Sequence, residues 1–344
     1  MRRHSAWEWR PAKAAWYSRL QDGIASWTPH PSLSVDGSGL RQALADAVER
    51  GDDWLYHPCL NAITLEDADK RVQRDCQLAY WVAAHAPDCT GSIRFPRPLS
   101  LWSAAGSIRV DEGTYPLRSL IERSLTASWP YAITIDVWCH SIGFALPDSW
   151  AASRPNGKEC LRLQSEVSKS IEIIDLAARK LDGCISWASD VTRVFIPLRS
   201  QGADFFRSGS NPNIAGLVFA DQFGGFVQLM EALVHESAHL HLNVAEAEGP
   251  LVDPDHQGRY ASPLRPEPRP LRGILLAYHA IAYICAFYDE VISAGLSEAR
   301  TCLSELPRMH EKLAAAGEVL KQNSRHFTPA GLRFLERTAE VAAG

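Results

Sequence analysis

The chain has 344 residues, 46% of them hydrophobic, and a formal net charge of -5, enough to bury a substantial core as one large domain or two smaller ones. The mild acidity argues against a nucleic-acid or anionic-membrane partner. No run of about 18 apolar residues reads as a membrane span, and the start, MRRHSAWEWRPAKAAW, lacks the apolar stretch of a secretion signal.

Eight cysteines are scattered without a Cys-x-x-Cys pair, which suits reduced core residues and a cytoplasmic location. Ten of the eleven tryptophans fall before residue 151, so residues 1–150 are expected to form a distinct Trp-rich region of open role. Within it, GLRQALADAVERG (39–51) reads as an amphipathic helix closed by Gly51. TLEDADKRVQRDCQLAYWVAAHAP (64–87) reads as a longer helix, opened by Thr64 with Asp67 in capping register and stopped near Pro87. Residues 92–95, 107–111 and 131–140 carry strand-like patterns, and 151–160 is a polar linker candidate.

The second region, 160–344, opens with an apolar period at Val167, Ile171, Ile174 and Leu181, predicting a helix over 163–183 ended by Gly183. TRVFIPLRS (192–200) and IAGLVFAD (214–221) are predicted strands. Two long helices follow, over 223–249 and 271–295, separated by a Pro/Arg-rich loop. The expected fold is helix-rich α+β, with two helices building a metal site against a small sheet. A connection this long inside a compact region is uncommon unless functional.

The first of those helices contains ALVHESAHLHL (232–242). Positions i and i+4 share a helix face, so His235 and His239 point the same way, one turn apart. Burying imidazoles without partners is costly, and two ligands on one rigid element at this spacing suit a divalent metal. Glu236 adjoins them, and His241 points elsewhere, as a structural or supporting residue. A catalytic metal needs a third ligand. The metzincin extension fails, because Leu242 and Ala245 stand at its positions, and no gluzincin NExxE-like motif follows, although Asp289 or Glu290 could serve. His279, in the middle of ILLAYHAIAYICAFY, is the preferred third ligand. The loop YASPLRPEPRPLRG places Arg265, Arg269 and Arg272 in a proline-stiffened segment. Guanidinium is the group best shaped for two-pronged carboxylate recognition, so these arginines are candidates for an anion clamp.

HESAHLHLN, followed by YASPLRPEPRPLRGILLAYHAIAYICAFY and later FTPAGLRFLE, resembles the HExxH-type peptide-modifying proteins of ribosomal peptide biosynthesis, which are α-ketoglutarate-dependent peptide β-hydroxylases. The match runs from about residue 205 to the C-terminus. It implies a non-haem Fe(II) enzyme using 2-oxoglutarate and O2 to hydroxylate the β-carbon of a residue in a precursor peptide. On that resemblance His235, His239 and His279 hold iron, and Arg265 or Arg269 pairs with the distal carboxylate of 2-oxoglutarate. Glu236 is then a ligand or a hydrogen-bond acceptor that orients one, and Tyr260 touches cosubstrate or substrate. The peptide would dock by strand addition along the IAGLVFAD edge or on the Trp-rich region. The alternatives are a zinc peptidase, with Glu236 as general base for a Zn(II)-bound water, and a non-catalytic peptide-binding maturation protein.

Overall fold

A computed structural model describes residues 9–28, 37–50, 52, 55, 60, 71–85, 92–95, 99–103, 106–116, 119–120, 134–135, 176–177, 179–198, 207–212, 214–221 and 225–343. The linker candidate 151–160, the start of the 64–87 helix and most of the 163–183 helix lie outside the described residues.

Among the described residues, the N-terminal helices are α1 Trp9–Ser26, α2 Gly37–Arg50 and α3 Arg71–His85. Helix α1 buries Trp16, Tyr17, Leu20 and Ile24, a three-to-four-residue spacing that sets one stripe against the core. Asp75 of α3, fully buried, accepts from Trp27 Nε1 at 3.1 Å and Arg74 Nε at 3.0 Å, so its charge is compensated. The buried side chains of these helices are continuous with those of the C-terminal helices.

Two short hairpin-like pairs follow. Strand β1 Ser92–Phe95 pairs antiparallel with β4 Gly113–Pro116, and β2 Leu99–Ser103 with β3 Gly106–Val110. A four-stranded sheet has the order β5-β6-β8-β7, formed by Thr134–Ile135, Thr192–Leu198, Ile214–Asp221 and Ser208–Asn211. Strands β5, β6 and β8 run parallel, whereas β7 is antiparallel to β8. Every residue of β8 is buried, as the unbroken apolar run IAGLVFAD requires of a strand covered on both faces. Because β8 has a partner on each side, the expected strand addition along an IAGLVFAD edge is corrected: its backbone groups are already paired.

Short helix α4, Asp182–Val191, leads into β6. Gly183 stands inside its first turn rather than closing an earlier helix. A Cβ there would collide with the Glu290 carboxylate, so this glycine permits a close approach instead of capping.

The remaining chain is mostly helical. Helix α5, Phe226–Ala245, lies against β7 and β8. Helix α6, Leu271–Ser293, crosses α5, and α7 (Ala299–Gln322) and α8 (Pro329–Ala342) pack on α6. By length and composition α6 could cross a membrane, but most of it is buried among its neighbours. The architecture is helix-rich α+β with small sheets, as expected from the alternation of strand runs with long periodic helices.

The segment between α5 and α6 is anchored at both ends. Val252 bridges Phe327, and Thr328 Oγ1 donates to the Pro250 carbonyl at 2.8 Å. Further on, Arg259–Tyr260 (β9) pairs with Arg269–Pro270 (β10). The arginine loop is thus a braced hairpin.

Candidate metal centre

The HExxH motif sits in the middle of α5, where apolar neighbours bury most of the helix. Ser237 Oγ lies 2.8 Å from Thr192 Oγ1 of β6, tying this turn to the sheet. His235, Glu236 and His239 each offer a ligand atom within 4.8 Å of the others, the one such His/Cys/Asp/Glu group among the described residues. The rings of His235 and His239 lie 4.4 Å apart, centroid to centroid. The i, i+4 spacing therefore does what the sequence implied.

Strand β7 supplies what the sequence reading missed. In a strand, alternate residues face one side, and Ser208 and Ser210 both reach down to Glu236. Ser208 Oγ donates to Oε1 at 2.7 Å and Ser210 Oγ to Oε2 at 2.8 Å. His239 Nδ1 lies 3.3 Å from Oε2. Burial alone would raise the Glu236 carboxyl, but the hydrogen bond and charge of His239, with His235 and Ser208, outweigh it and hold the group at about 2. Burial pushes His235 down to about 4, helped by neighbouring His239 and by the charge of Arg265, against the opposing pull of Glu236. The imidazole is therefore neutral near pH 7, the state a metal ligand needs.

His279 lies on α6, 3% exposed. It is not a member of the group within 4.8 Å, so the expected two-helix site is not closed as three converging ligands. It is nevertheless near enough to His239 for that group's charge to act on it, and burial first, then His239, pushes it down to about 3. Its Nδ1 lies 2.9 Å from Thr338 Oγ1 of α8. Its Nε2 is buried and makes no hydrogen bond. A buried polar atom without a partner costs free energy on the order of 1–3 kcal/mol, and a lone pair held dry is what a metal would satisfy. The donor chemistry of His235, Glu236 and His239 thus fits a divalent cation.

Behind this layer His241 does structural work. Its Nε2 donates to the Trp187 carbonyl at 3.1 Å, and its ring stacks on Trp187 at 4.2 Å. Tyr283 stacks on Trp187 at 3.8 Å, and His279 meets that tyrosine edge-on at 4.9 Å. Burial, then His279, depresses His241 well below its ordinary value.

The other expected residues separate. Arg272 spends its guanidinium on Glu246, with contacts of 2.6–3.0 Å, and on Asn243 Oδ1 at 2.9 Å. It latches the start of α6 to the end of α5. Arg265 and Arg269 are exposed, and only Arg265 acts on His235. Tyr260 donates to Asn323 Oδ1 and bonds His256 Nε2, both at 2.8 Å, which pins the loop to the end of α7. Among the alternative carboxylates, Asp289 is exposed and Glu290 packs beside Gly183; neither joins the ligand group.

Sequence comparison finds no matching family model and no matching characterised protein.

Proposed function

We propose that the chain is an Fe(II)- and 2-oxoglutarate-dependent oxygenase that hydroxylates the β-carbon of a residue in a ribosomally made precursor peptide. The observation that carries this reading is a His-Glu-His group together with Arg265, a cation with no ion pair among the described residues whose charge reaches His235. An anionic cosubstrate that binds the metal needs both features in one place.

His235 and His239 would hold the metal, with His279 as third ligand. Iron bound there supplies the redox chemistry, in which O2 is reduced as 2-oxoglutarate is oxidised to succinate and CO2 and one oxygen atom enters a C–H bond. Arg265 would grip the distal carboxylate of 2-oxoglutarate through paired N–H donors. Arg272 is less suited to that role, because Glu246 and Asn243 already engage its Nε and Nη2.

The surroundings of Glu236 favour this reading over a zinc peptidase. A general base works best with a pKa near the operating pH, whereas Glu236 is held at about 2. Its two oxygens already accept three donors. On this reading the carboxylate orients His239 rather than collecting protons, as acceptor or as ligand.

The test is anaerobic reconstitution with Fe(II), followed by 2-oxoglutarate and then air. Succinate formation that depends on both iron and O2 supports the oxygenase. Peptide cleavage with Zn(II) and no cosubstrate would replace it with the peptidase, and failure to bind any divalent metal would leave a peptide-binding protein.

A further inference from the structure

We infer that Thr338, on the C-terminal helix, is a positioning residue that sets the tautomer of His279 and so presents its Nε2 to the metal. The inference rests on the proposed metal reading, in which His279 is the third ligand.

The direction of two hydrogen bonds carries it. Thr338 Oγ1 lies 2.9 Å from the Phe334 carbonyl, one turn back along its own helix. A carbonyl oxygen only accepts, so the single hydroxyl proton of Thr338 is committed there. Toward His279 Nδ1, 2.9 Å away, the hydroxyl can then only accept. The proton of a neutral imidazole must therefore sit on Nδ1, leaving a bare lone pair on Nε2. That atom is the one buried without a partner. Thr338 is 2% exposed, so water does not compete for the contact.

His239 is held in the same way, with Nδ1 against the Glu236 carboxylate. Two histidines on two helices are thus both tied through Nδ1, each by an acceptor on another turn or helix. An acceptor of this kind fixes ring orientation and tautomer, and its loss typically weakens metal binding 10- to 100-fold. Phe334 packs on the His279 ring at 4.6 Å, so α8 controls both the plane of the ring and its proton.

The experiment compares wild type, Thr338→Val, Thr338→Ser and His279→Ala. Anaerobic Co(II) titration is read by visible absorption, and histidine-labelled apo protein by long-range ¹H–¹⁵N spectra. The expected result is an Nδ1–H tautomer at His279 in the wild type and a mixture in the valine variant. Co(II) affinity should fall roughly 10- to 100-fold in that variant and recover with serine, which restores the hydroxyl. An Nε2–H tautomer in the wild type would overturn the inference, and that measurement stands even if the valine variant does not fold. Valine binding Co(II) like wild type, while the alanine variant loses affinity, would also overturn it yet leave His279 as a ligand. Wild-type affinity in the alanine variant would instead remove the third ligand itself.

Discussion

Replacing Glu236 by glutamine separates the two chemistries this site could run. The side chain keeps its shape and one carbonyl oxygen but loses its charge. In the native site the carboxylate accepts from Ser208 at 2.7 Å, Ser210 at 2.8 Å and His239 at 3.3 Å. A hydrogen bond to a charged acceptor contributes about 1.5–3 kcal/mol and a neutral one about 0.5–1.5. The serine hydroxyls can rotate to accept from the new amide, so their loss is partly recovered, and removing a buried charge offsets more of it. The His239 contact becomes one to a neutral acceptor and should weaken by about 1 kcal/mol, which is about fivefold in metal affinity. Once metal is saturating, succinate release without peptide should stay within a few-fold of wild type. Co(II) titration gives the affinity, and initial succinate rates at saturating Fe(II) and 2-oxoglutarate give the turnover. Removing a true general base costs roughly 10²- to 10⁴-fold. A loss of that size at saturating metal, with affinity unchanged, would refute the argument and return Glu236 to proton transfer.

Arg265→Ala should raise the KM for 2-oxoglutarate by roughly tenfold or more, while Arg269→Ala leaves it near wild type; a rise confined to the Arg269 variant would show that the clamp has been assigned to the wrong arginine. Gly331→Ala should destabilise the protein by about 1–3 kcal/mol, because a Cβ would run into the Leu251 carbonyl oxygen. Urea unfolding with an unchanged midpoint would contradict that packing. Acid should destabilise the metal-free protein through its buried, pKa-depressed groups, three of them at or near the candidate site and His241 behind it. Burial holds His279 at about 3 and His235 at about 4, so as pH falls below 6.5 the unfolded chain takes up protons that the folded chain refuses, and stability is lost down toward those values. Glu236, depressed to about 2, adds stability above about 4.5 that disappears as pH falls toward 2, so the signs agree. Unfolding free energy near pH 4.5 should lie below the neutral value by about 2–3 kcal/mol for each of the two histidines, and a flat profile over that range would count against both placements.

Much of the architecture was readable where a pattern is local. Alternation and apolar runs located β1, β6 and β8, and the two long helices that carry His235, His239 and His279. The short strand SGSN was missed because it has no apolar period, and helix α1 because its stripe, Trp16, Tyr17, Leu20 and Ile24, is sparse and set among charges. Gly183 was misread as a stop because a glycine needed for close packing looks, in one dimension, like a glycine needed for a cap.

The same division runs through the candidate site. Spacing along one helix already aligned His235 with His239, since the 3.6-residue period is a property of the backbone and needs no partner. What each imidazole is tied to depends on segments remote in the chain. Ser208 and Ser210 come from a strand, Thr338 from a helix 59 residues beyond His279, and no sequence interval encodes those pairings. The three loop arginines were equivalent as residues, and only packing committed Arg272 to Glu246 while leaving the charge of Arg265 to act on His235. Protonation is a tertiary property for the same reason: burial and the few neighbours that remain, not residue type, decide which of these groups carries charge.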